Sequence, residues 1–370
     1  MISVHGNPLV SDEELGSDGK GGQNIYVREV GKKLTSLNCD VTWLTRSESK
    51  AESGVVGLSE RLRCRFIVAG PQTHIHRDHL YQYLDEFVAQ IHPAAFDVVF
   101  TCYWLSAYVG MALGLPHIHA SMSLGYMKYR QESMSSIGPT RLRIEKLVGE
   151  LADVYVCQTH EEMELMQPRN PVYIPCGINE ETFQKLDKAE AQEKMGFDSD
   201  RLNVLYVGRF AKQKGYNYAL EALSCTTIPH TFRLIGDCKS VSSLKRHPSV
   251  QLLGSKKPEE VALFMAASDV LIMPSLYEPF GLVAIEAMAA GCCLIVSAVG
   301  GLDENVQDGV NGLKVPPGNS AAILAAFEKL WGDKELRERI SKTNRQHALK
   351  TYSWKSVAAE IKQNLEKILD

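Results

Sequence analysis

The residues best suited to chemistry fall in LYEPFGLVAIEAM, residues 276–288. There Glu278 and Glu286 stand eight positions apart around a proline, a glycine and an apolar run. A helix start favours an acidic residue for its own sake, and a second glutamate can simply face water. The other reading is a pair of carboxylates for a hydroxyl-rich ligand. The preceding DVLIMPS has the pattern of a buried strand and the residues after Gly281 read as a helix, so Glu278 belongs to the loop at the strand's carboxyl end. The amides of Phe280, Gly281 and Leu282 open that helix with unpaired donors, a setting that favours an anion. Gly281 lets a ligand approach the backbone closely, and Glu286 is placed to accept two hydrogen bonds from a ribose diol.

A complementary set lies in YVGRFAKQKGYNYALEAL, residues 206–223, where Arg209 and Lys214 flank a strand-to-helix loop. A guanidinium fork and a point-charge ammonium beside a helix start suit a diphosphate. Taken alone, each is equally a solvated charge. SDGKGGQNIYVREV, residues 17–30, is a glycine-rich loop feeding a helix. As a dinucleotide fingerprint with Asp40 as ribose acid it fails, because Asn24 stands where the third glycine belongs; a loop approaching a phosphate or a sugar fits better. The DSD at 198–200 reads as a solvated turn. His74, His76 and His79 lie close together without an evident fourth metal ligand. There is no G-x-S-x-G elbow, and the nine cysteines include no C-x-x-C pair.

These loops need strands and helices to aim them. Short apolar runs at 41–45, 64–70, 96–100, 116–120 and 153–159, then at 203–208, 232–236, 250–254, 269–275 and 293–298, alternate with helix-period segments. In residues 21–37, Ile25, Val27, Val30, Leu34 and Leu37 fall mostly on one face. The alternation predicts an α/β protein with parallel sheets covered on both faces. Met1 to Val4 reads as the end of a strand, and a charged helix-like piece between Gly177 and Leu202 separates the two strand systems. The expected division is an N-terminal domain over 1–180, a C-terminal domain over 181–351, and a closing helix over 352–370 that can pack back on the first. Ligands of such doubly wound, Rossmann-like sheets bind at the carboxyl ends of the strands, in a cleft if the two domains face each other.

The 370 residues exceed what one core usually serves. Apolar content of 45% and charged content of 23% are those of a globular protein, and a net charge of −4 gives no electrostatic footprint for nucleic acid. No apolar run has the length of a membrane span, no secretory leader is visible, and scattered thiols suit a reducing cytoplasm.

GRFAKQKG, followed by EPFGLVAIEAMAAGCCLIVSAVGGLDENVQDGVNGLKVPP, resembles the nucleotide-sugar domain of the family 4 retaining glycosyltransferases, which have the GT-B fold. GGQNIYVREV, YWLSAYVGMALGLP and SLGYMK resemble the acceptor domain of the branch that holds sucrose-phosphate synthases and the inositol-phosphate N-acetylglucosaminyltransferase of mycothiol synthesis. The resemblance implies hexose transfer from a nucleotide sugar, with UDP-glucose favoured, to a phosphorylated sugar or polyol, and no bound metal or other cofactor. It implies that Arg209 and Lys214 stabilise the leaving diphosphate, that Glu278 bonds the donor sugar and Glu286 the ribose. The 280–282 amides would hold sugar or diphosphate, and the 253–256 loop with Lys256 would face the base. Gly21, Gly22 and Gln23 match a loop touching both substrates. Lys128 matches a phosphate-binding lysine of the branch, Arg141 or Arg143 and also Arg77 fall where acceptor-phosphate cations are expected, and Tyr103 belongs with the acceptor-binding residues.

Two departures stand out. The branch carries a histidine before the serine of SLG, against the donor sugar, where this chain has Met122; and it reads H-Y-W where this chain has Cys102-Tyr103-Trp104. His119, three residues upstream of Met122, offers no simple substitute. These departures make a catalytically weakened paralogue, binding nucleotide sugar as a sensor or partner subunit, the alternative expectation.

Overall fold

A computed structural model describes residues 1–11, 21–130, 134–183, 186–198, 200–238 and 249–370. The chain divides into two compact units. The first takes in 1–11, 21–177 and 354–370, and the second 178–353, each within the described residues.

In the first unit the strands are β1 (Val41–Arg46), β2 (Val55–Ser59), β3 (Leu62–Ile67), β4 (Val99–Cys102), β5 (His117–Ala120), β6 (Val154–Cys157) and β7 (Pro171–Tyr173). They pair in the orders β1-β3-β2 and β4-β5-β6-β7. Ile2 joins the two groups, bridging Leu44 on one side and Thr101 on the other, both in parallel. Its amide donates to Phe100 O at 2.7 Å and the Ser3 amide to Leu44 O at 3.0 Å. So Met1 to Val4 fills the centre of the sheet and delivers the next residue, His5, to its carboxyl edge. Among the described residues only β2 runs antiparallel, to β3, and it is exposed along its length. It has neither the burial nor the apolar continuity of the other strands, and for that reason sequence pattern passes over it.

The second unit carries β8 (Leu202–Val207), β9 (His230–Ile235), β10 (Val250–Gly254), β11 (Val270–Met273), β12 (Cys293–Ser297) and β13 (Leu313–Val315) in one sheet ordered β10-β9-β8-β11-β12-β13. Every pairing is parallel. The order reverses between β8 and β11, and the loops that follow these two strands carry the charged motifs.

Each unit has its own core. Ile2, Leu44, Ile67, Leu80 and Trp104 anchor the first, and Val204, Phe232, Ile272, Phe327 and Ile340 the second. In the helix Gly22–Ser36, Val27, Val30 and Leu34 are buried as the periodicity predicts. Tyr26, absent from the apolar face drawn from sequence, is buried too and meets Trp354 edge-on at 5.7 Å. Trp354 begins the last helix, Trp354–Leu369, which belongs to the first unit and lies against Gly22–Ser36.

Candidate functional site

In the second unit, β8 ends at Val207 and the chain passes through Arg209, a 3-10 turn over Lys212–Lys214, and Gly215 before the helix Tyr216–Ser224. Gly215 has φ +63, and a Cβ there would lie 1.9 Å from Pro274 O. Only glycine allows the loop after β8 to press on the loop after β11. The Leu276 amide then donates to Gln213 O at 2.8 Å, which ties the loops together.

The consequence is an ion pair. Lys214 Nζ lies 2.6 Å from Glu278 Oε2, and Ser275 Oγ reaches the same oxygen at 3.4 Å. Glu278 is buried and Lys214 half-buried. Arg209 is exposed at the same edge of the sheet.

Beyond Glu278, the Phe280 side chain is buried and meets Tyr352 edge-on at 6.1 Å, so its backbone is the part that can serve a ligand. Gly281 has φ +91 and leads into the helix Leu282–Ala289. The Gly301 amide donates to Glu278 O at 3.1 Å, Asn305 Nδ2 to Phe280 O at 2.8 Å, and Tyr352 Oη to Asn305 Oδ1 at 2.9 Å. Gly301, Asn305 and Tyr352 therefore set the curvature of the loop that presents the helix start. No role for them was read from sequence. Gly301 and Asn305 sit in the stretch that carries the resemblance, but their partners are tens of residues away and no spacing reveals them.

Glu286 is half-buried one turn into the same helix and has no side-chain hydrogen-bond partner among the described residues. Desolvation pushes its carboxyl up to about 8, so it is largely protonated at neutral pH. Lys256 is paired with Glu260 at 3.3 Å, close after the end of β10.

The first unit gathers its candidates at its own carboxyl edge. Gly21 and the exposed Gly22 open the helix Gly22–Ser36, and Gln23 Nε2 donates to Ser3 Oγ at 3.0 Å. Asn24, the residue that spoils the dinucleotide fingerprint, is a cap. Its Oδ1 accepts from the Gly21 amide at 3.0 Å while its Nδ2 donates to Asn7 O at 2.9 Å. A glycine could do neither.

Tyr103 and Met122 follow the ends of the adjacent strands β4 and β5, with φ of 76 and 59. Left-handed backbone is costly for side chains of this size and concentrates at functional sites. Arg141 is buried: Nε donates to Glu145 Oε1 at 2.7 Å, Nη1 to Tyr103 Oη at 3.1 Å and Nη2 to Ser123 O at 2.6 Å. Glu145 in turn accepts from the Gly125 amide at 2.9 Å. With its donors engaged in this way, Arg141 braces the segment from Ser123 to Gly125 and the Tyr103 ring from inside. Arg143 is exposed two residues further along the same helix, Gly138–Leu151. Lys128 is half-buried with its ammonium 5.9 Å from the Tyr129 ring, and Arg77 is half-buried at the start of a 3-10 turn.

The remaining motifs resolve simply. Asp40 forms a surface pair with Arg61 at 3.5 Å. Asp198 accepts from the Asp200 amide at 2.9 Å and pairs with Arg201 at 3.2 Å, the solvated turn expected, with Ser199 outside the described residues. Gly19 and Lys20 of the glycine-rich loop also lie outside them. His74 faces Glu48 and His76 faces Asp78. Among the described residues no three His, Cys, Asp or Glu side chains are grouped to hold a metal ion. His119 is buried against Thr101, with Thr101 Oγ1 2.8 Å from its Nδ1, and burial holds it well below the usual imidazole range. It is turned into the sheet and does not replace the histidine missing at Met122.

Comparison with known proteins sets these two edges in context. The sequence pattern of glycosyl transferases group 1 matches residues 187–347, and that of glycosyltransferase family 4 matches residues 20–182. A D-inositol 3-phosphate glycosyltransferase of Geodermatophilus obscurus is 30% identical across 95% of this chain and 85% of its own. A sucrose-phosphate synthase from Thermosynechococcus elongatus superposes with a TM-score of 0.91 at 31% identity, covering 99% of this chain and 98% of its own.

The chain belongs to the family 4 glycosyltransferases. It is an enzyme of GT-B fold, as the resemblance implied. Anabaena HepE, solved with UDP and glucose, shares that fold at a TM-score of 0.74 and 18% identity over 99% of this chain and 98% of its own. Within this glycosyltransferase the loops after β8 and β11 hold the lysine–glutamate pair, and the first unit holds the Tyr103–Arg141 edge. No helix among the described residues is long and apolar enough to cross a membrane.

Proposed function

We propose that this glycosyltransferase moves a hexose, with retention, from a nucleotide sugar to a phosphorylated sugar or polyol. UDP-glucose is the favoured donor, and sucrose-phosphate synthesis is the best single assignment. The observation that carries the reading is the contact between Lys214 and Glu278 directly before the helix start at Gly281. A cation for diphosphate, a carboxylate for sugar hydroxyls and unpaired amides for an anion stand at one point of one sheet. The named activities of the relatives at 30–31% identity both involve phosphorylated small molecules, which supports the acceptor class.

In this reading Arg209 and Lys214 stabilise the charge that develops on the departing diphosphate, the largest electrostatic demand of the step. Glu278 orients the sugar, Glu286 takes the ribose, the 280–282 amides take sugar or diphosphate oxygens, and Lys256 lies on the base side. Gly21, Gly22 and Gln23 approach both substrates. Arg77, Arg143 and Lys128 meet the acceptor's anion, with Tyr103 placed by Arg141. These cations and helix starts replace a metal, and the nine free thiols suit a cytoplasmic setting.

The test is release of nucleoside diphosphate with UDP-glucose and fructose 6-phosphate, then with a panel of uridine, guanosine and adenosine donors against sugar and inositol phosphates. Release without added metal and in the presence of EDTA, with a retained anomeric configuration, is the expected result. No release in any combination overturns the assignment.

A second reading, a weakened paralogue that binds nucleotide sugar as a sensor or partner subunit, is favoured by one observation. Met122, a thioether without acid–base capacity, occupies a strained left-handed position at the end of β5. On that reading Met122→His raises turnover sharply; an unchanged rate removes it.

A further inference from the structure

The central strand segment carries His5 to the carboxyl edge of the first unit, beside the end of β4. No motif marks this residue. Its imidazole lies 4.6 Å from the Tyr103 ring, centroid to centroid. That ring is fixed from its other contacts, with the Arg141 guanidinium 5.0 Å from its centroid and donating to its hydroxyl. Nδ1 of His5 and Nε of Arg77 are both buried, and neither has a hydrogen-bond partner among the described residues. A buried polar nitrogen left unpaired costs about 1–3 kcal/mol; Arg77 Nε can only donate, and His5 Nδ1 donates when it carries a proton, so an acceptor atom satisfies both once the imidazole is protonated.

The charges acting on His5 come from two elements. His76 and Arg77 stand at the head of the 3-10 turn Arg77–Tyr83, and Arg141 stands on the helix Gly138–Leu151. Tyr103, the ring neighbour, adds a phenol, and among the described residues no carboxylate is in the set of groups that act on the imidazole. Burial first, then Arg77, Arg141 and His76, lower its pKa to about 3, so His5 is neutral at physiological pH. Arg141 is balanced by Glu145 at 2.7 Å.

We propose that His5 and Arg77 together bind the acceptor's phosphate-type oxyanion, and that His5 takes up a proton as this anion arrives. The inference rests on the acceptor half of the reading above and adds to it a ligand and a proton. An anion within about 4–6 Å favours the charged imidazole. Imidazolium then donates a charge-assisted hydrogen bond, stronger than a neutral imidazole can offer. Without the anion the imidazole stays neutral and adds no repulsion to the arginines. Since the complex binds more protons than the free protein, affinity for a dianion rises as pH falls.

Sulfate is a suitable probe, being a tetrahedral dianion with no proton of its own to gain near neutrality. It is titrated calorimetrically into the full chain at neutral pH, in two buffers of unlike ionisation enthalpy, with acetate as the carboxylate comparison. The expected result is uptake of part of a proton per sulfate in the wild type and none in His5→Asn, with weaker sulfate binding in that variant and in Arg77→Gln. In the wild type itself, the His5 ring proton resonance is expected to ignore pH without sulfate and to titrate near neutrality with it. Equal heats in both buffers for the wild type, the same uptake in His5→Asn, acetate bound as well as sulfate, or a His5 resonance unmoved by sulfate overturns the proposal. UDP binding, followed in parallel, separates the two readings: if it persists while the sulfate linkage is absent, this proposal alone falls.

Discussion

Lys214 Nζ and Glu278 Oε2 are 2.6 Å apart, an ion pair that closes the loop after β8 onto the loop after β11. Each partner therefore neutralises the group that the donor reading assigns to the opposite end of the activated sugar, and a donor has to draw them apart. Glu278→Gln is expected to bind free UDP a few-fold more tightly, since releasing a partly exposed pair is worth about 1 kcal/mol, while transfer falls. Lys214→Ala is expected to lower turnover about 100- to 1,000-fold, as for loss of one oxyanion donor. Calorimetry with UDP and initial-rate measurements check both. Weaker UDP binding in Glu278→Gln counts against the competition between the partners.

Glu286 makes a second case, in which function and stability oppose each other. Its carboxyl is raised by burial to about 8 in the folded chain, against an ordinary value of 4.5. Between those values the folded state holds a proton that the unfolded state has lost, so stability falls as pH rises through that window. Glu286→Gln removes the penalty. Its melting temperature is expected to exceed that of the wild type at pH 7–8, with the difference shrinking toward pH 4.5, the unfolded value. Nucleotide affinity drops in the same variant. A melting difference independent of pH is the contrary outcome.

Arg141 and Glu145 are a buried pair whose loss is structural. Removing one partner strands a charge away from water, at a cost of about 3–5 kcal/mol. Glu145→Ala is expected to lower the unfolding free energy of the first unit, read from the urea midpoint and slope, by that amount and to raise the acceptor KM, because Tyr103 and the Ser123–Gly125 segment lose their brace. A variant with wild-type stability shows that the pair is not what holds this edge.

Gly215→Ala tests the contact that brings the two loops of the second unit together. The added methyl would lie 1.9 Å from Pro274 O, in a backbone conformation that alanine resists. Strain of this kind costs about 1–3 kcal/mol, and the displaced Lys214 loop is expected to weaken UDP binding along with stability. Unfolding curves and UDP titration read the two effects separately.

Much of the second unit is legible in the chain itself. Buried parallel strands need continuous apolar runs, so β8 to β12 stand out. A helix start that meets an anion needs a glycine and a free-amide turn, so the 278–286 stretch declares itself. The edge strands β2 and β7, with little burial, and β13, buried but only three residues long, leave no such pattern and are absent from the sequence reading. Residue type makes Arg141 a cation, and the resemblance puts it on the acceptor side. Whether it faces a ligand or Glu145 depends on which side of the helix Gly138–Leu151 meets the Tyr103 segment, a choice made by packing.

From residue types and local spacing follow the two α/β strand systems and the loops that carry Arg209, Lys214, Glu278 and Glu286, while the family follows from the resemblance of the motifs in those loops. Periodicity and turn chemistry act over a few residues and can be read one stretch at a time. Tertiary structure alone decided that Lys214 and Glu278, 64 positions apart in the chain, share a contact. It also decided that His5 joins Tyr103 and Arg141, and that Glu286 lies desolvated. Partners and burial are properties of distance in space, which no spacing along the chain encodes.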